Sequence, residues 1–142
     1  TASGTADQAL VNRVIINGSA SLTSGSATIL ITIPLATLQM SGGIIVFHIE
    51  AGDGTDVIAD ASQVNFAAVN KAAVYTTNSN LIGTAAQAKS DVVDTLTYTF
   101  DFLNGTNQTQ LRITPTLTGM TATTFRITYT VIALAQQSIT AP

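Results

Sequence analysis

The one histidine of the chain, His48, stands two residues before Glu50 in the run Phe47-His-Ile-Glu50. In an extended strand, residues two apart share a face. The imidazole and the carboxylate would then sit about 7 Å apart, at roughly 3.3 Å per residue. Such a pair could move protons or help to hold a metal. A zinc site takes three or four ligands, and the chain offers no second histidine and no cysteine. The plainer reading is a satisfied histidine in or beside a sheet. Asp53, Asp56 and Asp60 cluster in the segment that follows, Gly52-Asp-Gly-Thr-Asp-Val-Ile-Ala-Asp60. Clustered carboxylates can bind calcium, but these lack the spacing of an EF-hand loop, so a solvated turn is expected. No Gly-x-Ser-x-Gly elbow occurs, and the lone histidine would have to serve any triad. Glycoside hydrolysis needs two suitably placed carboxylates, and nothing singles out a partner for Glu50. These residues name no catalytic group, no metal site and no cofactor, and the chain reads as non-enzymatic.

Arg13, Arg112 and Arg126 each fall within a candidate strand. They could be solubilising charge. They could also be interface residues, because a guanidinium makes planar paired contacts and arginine is enriched at interfaces. Gathered between subunits, they could hold a small anionic ligand or ion. The candidate interface or ligand-contact set is therefore Arg13, Arg112, Arg126, His48 and Glu50. Three glycosylation sequons, at Asn17, Asn104 and Asn107, arise easily in a threonine-rich chain and carry little weight. A sugar-binding platform usually offers exposed aromatics. Here there is no tryptophan, and most aromatics fall at core positions, which leaves polar-loop sugar binding open.

The elements that would position these residues are strands. In Thr95-Leu-Thr-Tyr-Thr-Phe-Asp-Phe102 and Thr123-Thr-Phe-Arg-Ile-Thr-Tyr-Thr-Val131, small polar and large apolar residues alternate one for one. A strand sends successive side chains to opposite faces, so the pattern writes sheets with one apolar side. Leu96, Tyr98, Phe100 and Phe102 share that side, as do Phe125, Ile127, Tyr129 and Val131, Leu111 and Ile113, and Ile29, Ile31 and Ile33. Other strands are expected at Leu10–Ile16, Ser19–Leu22, Ala27–Ile33 and Ala72–Thr77. Ile44–Ala51 is apolar on both faces at first and should be central and doubly covered. Asn17-Gly18 and Asn104-Gly105 are hairpin signals, because both residues accept positive φ. Ala61–Val69 fits a strand or a short helix, and Thr84–Lys89 a helical turn or a loop. About eight strands with frequent turn signals predict an all-β, antiparallel β-sandwich of the jelly-roll kind. An immunoglobulin-like sandwich is the alternative.

Composition bounds the rest. The 142 residues are enough for one domain with a proper core. Five basic residues against eight acidic ones argue against direct nucleic-acid binding, which usually needs a basic patch. The longest apolar run is far short of the roughly 20 residues of a membrane helix. Only 9% of residues are charged, and the polar strand faces are built largely of threonine. An ordinary wet surface is richer in charge. Some of that face, together with the last strand beyond Thr130 where both sides turn apolar, is therefore expected to meet something other than water. Thr1–Gln8 reads as a flexible lead-in, followed by a domain over 9–142. A first residue other than methionine suggests a piece of a longer chain.

An Ala/Ser/Thr/Gly lead-in, short threonine-rich strands (Ala27–Ile33, Thr95–Phe102, Phe125–Ile132), Asn-Gly turns, no cysteine and little charge together resemble the β-structured tips of bacteriophage tail appendages. Within that class the chain most resembles the C-terminal knob of the tail needle of P22-like podoviruses. The resemblance implies a trimeric jelly roll of the tumour-necrosis-factor-like kind, the lead-in joining it to an upstream coiled-coil shaft. It implies a virion protein acting outside the cell: the needle plugs the portal and retains DNA, and its tip leads contact with the host outer-membrane surface. It carries over no catalytic residues. The alternative is a binding module, either a bacterial adhesin or pilin-like sandwich or a carbohydrate-binding domain.

Overall fold

Period-two alternation is satisfied by nine antiparallel strands in two sheets packed face to face. The computed structural model describes residues 12–83, 85–135 and 140–142, without the side chains of residues 12–14 and 134–135. The expected lead-in, Thr1–Gln8, lies outside the described residues. The strands are β1 (Asn12–Ser21), β2 (Thr28–Pro34), β3 (Met40–Gly52), β4 (Val57–Lys71), β5 (Val74–Leu81), β6 (Ala86–Lys89), β7 (Thr95–Gly105), β8 (Gln108–Thr118) and β9 (Thr124–Ala135). The large sheet runs β1-β9-β3-β4-β5, with β6 also on β4; the small sheet runs β2-β8-β7. The first and last strands are neighbours, and the chain crosses between sheets at β1–β2, β2–β3, β6–β7 and β8–β9. That is the wrapped order of a jelly-roll-like sandwich, with β3, β4 and β5 forming a meander inside the large sheet.

Between the sheets lie Leu30, Ile31, Ile33 and Leu35 from β2 and its end, Ile45, Phe47 and Ile49 from β3, Ile58, Val64 and Phe66 from β4, and Ile127, Tyr129 and Val131 from β9. Leu96, Leu111 and Ile113 are buried from the small sheet. Tyr98, Phe100 and Phe102 pack against this core at its margin. Phe47 meets Tyr98 edge-on at 5.4 Å and Phe100 at 5.5 Å, joining the sheets through a ring cluster. Such ring pairs are each worth about 0.5–1.5 kcal/mol beyond their buried area.

Several local expectations change. Asn17-Gly18 is not a turn: β1 runs straight through it, with Gly18 opposite Tyr129 of β9. A Cβ on Gly18 would sit 2.4 Å from the Tyr129 ring. The glycine makes room for that ring, whose hydroxyl donates to the Leu30 carbonyl at 2.6 Å across the sandwich. Ile29 does not share a face with Ile31 and Ile33, because the register slips between Ile29 and Ile31. The bulge turns Leu30 inward and sets Ile29 opposite Arg112. β3 is central but covered on one side only, with Ile44 and Val46 exposed on the other. In place of the helical turn or loop expected within Thr84–Lys89, Ala86–Lys89 form β6, paired to β4 at Ile58–Ala61. β8 continues through Pro115, because β2 pairs only up to Ile113 and leaves that side of β8 without a ladder there.

Two hairpins show how turns are made. The β7–β8 tip is Thr106-Asn107, just past Asn104-Gly105, with Asn107 at φ +55°. The β4–β5 tip is Ala72-Ala73, with φ +52° and +66°. That is the sense of a type I′ turn, which alanine disfavours and Asn-Gly favours.

Two outcomes follow. Replacing Ala72-Ala73 by Asn-Gly should stabilise the domain by about 1 kcal/mol, through relief of left-handed strain. Gly18→Ala should cost about 1–3 kcal/mol by displacing the Tyr129 ring. Urea titrations of each variant beside the wild type measure both.

Candidate functional site

Alternation along β3 does put His48 and Glu50 on one face, the outer face of the large sheet. Register then adds a third candidate. Arg126 of β9 lies directly across from Glu50, and its Nε donates to Glu50 Oε1. His48 sits one row along, flanked by Thr128 of β9 and Ala61 of β4, and is exposed. An exposed ion pair of this kind contributes at most about 1 kcal/mol. Its larger effect is to neutralise the two charged groups on this part of the face.

Arg112 faces the opposite way, on the outside of the small sheet. It donates to Asp101 through Nε at 3.0 Å and Nη2 at 2.5 Å. The bonded carboxylate holds its guanidinium above its usual basicity. Arg112 and Arg126 therefore point away from each other, each with its own carboxylate. Arg13 is placed on β1 opposite Leu134, and its side chain lies outside the described set.

The outer surfaces of the two sheets differ. On the small sheet, Thr95, Thr97 and Thr99 of β7 stand opposite Thr118, Thr116 and Thr114 of β8, and the ladder continues into the Asp101–Arg112 pair. On the large sheet, the corresponding rows carry isoleucine, valine, alanine, threonine and asparagine. A hollow of about 630 Å³ opens there at the Gly52 end, lined by Glu50, Gly52, Val57, Ala59, Ala88 and Thr124 among others. Its charged groups and Ser90 are engaged elsewhere, Glu50 with Arg126, Lys89 with the Val92 and Asp94 carbonyls and Ser90 with Asp56, so it is a shape feature of the sheet and not a gathering of reactive groups.

The aspartates separate into distinct roles. Asp53 Oδ1 accepts from the amides of Thr55 and Asp56, both at 2.8 Å, and these bonds hold its carboxyl below the usual range. Asp56 accepts from Ser90 Oγ at 3.1 Å. Asp60 is not part of the turn. It is buried on the inner face of β4, where it accepts from the Tyr98 hydroxyl at 2.8 Å and from Gln87 Nε2 at 3.0 Å. Burial and the Asp60 carboxylate raise the Tyr98 phenol well above its ordinary value. Asp94, which the sequence did not single out, is also buried, and its Oδ2 has no hydrogen-bond partner. Burial raises its carboxyl, and repulsion from Asp56, Asp91 and Asp53 raises it further, partly offset by Lys89. The spacing Asp91-Val-Val-Asp94 was the available signal, a turn in which Asp91 Oδ1 accepts from the Val93 amide. Among the described residues no group of three histidines or carboxylates could hold a metal ion.

No family model matches this chain, and no curated protein matches it. Among solved structures it is similar to the tailspike protein of Acinetobacter baumannii phage AM24, with a TM-score of 0.57 at 10% identity. The likeness covers 92% of this chain and 27% of the tailspike, so the chain spans about a quarter of that protein's length. At such identity the likeness is one of fold: this β-sandwich is a fold that a phage tailspike carries.

The buried Asp94, whose Oδ2 has no hydrogen-bond partner, sets a pH dependence. A carboxyl raised in the folded state stabilises the fold below its unfolded pKa of about 4. That contribution is lost as pH rises through the raised folded value. Asp94→Asn should accordingly raise the melting temperature at pH 7 and change it little near pH 3. Melting curves across that range, compared with the wild type, test the sign.

Proposed function

We propose that this chain is a structural domain of a bacteriophage tail appendage, assembled as a homotrimer on the virion and meeting the host cell envelope during infection. The observation that carries the reading is the fold-level likeness to a phage tailspike over 92% of the chain. The surface supports it. The outer face of the large sheet is isoleucine, valine, alanine, threonine and asparagine with few charges, and its Glu50 and Arg126 are paired to each other. Such a face suits protein contact better than an isolated life in water. The reading makes the domain a structural part with no catalytic role of its own. In its narrower form, supported by the sequence resemblance to needle knobs, the domain caps a shaft that plugs the portal and retains packaged DNA.

The expected solution mass is about 44 kDa, three times the 14.6 kDa chain. Purified protein should bind outer-membrane vesicles of a host strain and not those of a resistant mutant. Gold-labelled antibody on intact particles should mark the tail: its distal tip for a needle, its periphery for a spike or fibre. A monomer that binds defined glycans on an array would replace this reading with that of an adhesin or carbohydrate-binding module. Label confined to host cell surfaces and absent from virions would do the same.

A further inference from the structure

The large sheet leaves one side of its strands uncovered, and that side is ordered in rows. Ile15 of β1, Ile132 of β9 and Ile44 of β3 stand in one cross-strand row. They are 60%, 44% and 36% exposed, respectively. The next row holds Asn17, Thr130, Val46 and Gln63. On the other side, Met40 and Val69 are paired and exposed, and with Gly42, Ala67, Ile44 and Ile132 they line a shallow depression. Large apolar side chains scattered singly on a surface need no explanation, but a contiguous group does.

The face is also short of free charge. Between the Met40 row and the Gly52 row, its described side chains include one carboxylate and one guanidinium, Glu50 and Arg126, bonded to each other. Among them no carboxylate or guanidinium is left unpaired; by register Arg13 takes a position on the edge strand of this face, opposite Leu134 in the Gly42 row. Its described side chains give a strongly acidic or basic partner no complement, whereas a neutral surface of the same make-up matches them. Its size fits as well. Five strand ranks at about 4.8 Å spacing and some ten residues at about 3.3 Å give roughly 800 Å². That is close to the area each partner contributes to a standard stable interface. The small sheet, by contrast, turns outward a threonine ladder and the Arg112–Asp101 pair, with Leu103 the large apolar residue exposed beyond them, a surface that water can largely satisfy.

We infer that the outer face of the large sheet is where a second copy of this chain packs, with Ile15, Ile132 and Ile44 as its apolar anchor and the small-sheet face left to solvent. The inference rests on the oligomeric reading above and adds which surface performs it. In a closed trimer this face turns toward the common axis. The Glu50–Arg126 pair then lies within or at the rim of the contact, and the Arg112–Asp101 pair stays outside it.

The test is sedimentation of Ile44→Lys and Ile132→Lys beside the wild type, with Thr99→Lys on the small sheet as the control. A lysine in the middle of a desolvated contact is strongly unfavourable. The wild type and the control should stay assembled, while the two isoleucine variants fall about three-fold in mass with unchanged circular dichroism. Isoleucine variants that fold and stay assembled overturn the assignment of the face and leave the oligomer intact. A wild type that is monomeric at every concentration overturns both. Should the lysine variants fail to fold, single cysteines decide the question, because the chain has no native thiol. A short bismaleimide should join copies of Val46→Cys and not copies of Thr99→Cys. The reverse pattern overturns the inference.

Discussion

Two tyrosine hydroxyls hold the sandwich in one alignment. Tyr129 of β9 reaches across to the Leu30 carbonyl of β2, and Tyr98 of β7 reaches across to the Asp60 carboxylate of β4. Apolar contact between sheets is strong but non-directional, and would tolerate sliding or rotation. A hydrogen bond from a buried phenol does not, because the donor left without its acceptor costs about 1–3 kcal/mol. Other features follow from these two bonds. Gly18 is small so that the Tyr129 ring can lie over β1. The bulge at Leu30 accompanies the carbonyl that accepts from Tyr129. Gln87 of β6 donates both to Asp60 and to the Leu96 carbonyl, so a strand of only four residues also bridges the sheets.

With the inner faces so committed, the outer faces are free to differ. The small sheet presents paired threonines, which β-branching suits to a strand and whose hydroxyls hydrogen-bond readily to water or to each other. The large sheet presents isoleucine, valine and alanine around a self-neutralised ion pair. That asymmetry gives the domain one outer surface ordered in apolar rows and another of paired threonines. His48 and Glu50 are polar positions on that apolar-rowed outer face of the large sheet. The buried carboxylate of Asp94 lies away from this surface, in the turn before β7.

Much of the fold was legible where alternation was clean. The inward residues of β7, β8 and β9 are those the pattern selects, and the all-β sandwich follows from them. Legibility failed where a local signal had a non-local cause. Asn17-Gly18 looks like a turn, yet the glycine answers to a ring on a strand more than a hundred residues away. Ala72-Ala73 carries no turn signal and still makes one, because the long β3–β4 and β4–β5 ladders on either side hold it there. Asp60 was indistinguishable from Asp53 and Asp56 in sequence, and only its place on an inward position of β4 makes it a buried acceptor. Ile29 left its expected face because a bulge cannot be seen in a run of β-branched residues.

The sequence by itself determined the sheet character, the absence of thiol chemistry, the shared face of His48 and Glu50, and the shortage of charge. Each depends only on residue type and on a two-residue repeat, which are properties of the chain read locally. The tertiary structure alone decided that Arg126 meets Glu50 while Arg112 meets Asp101 on the far side. It alone aligned Ile15, Ile132 and Ile44 in one row. Those outcomes depend on strand order and register, which join residues distant along the chain, and no local pattern specifies them.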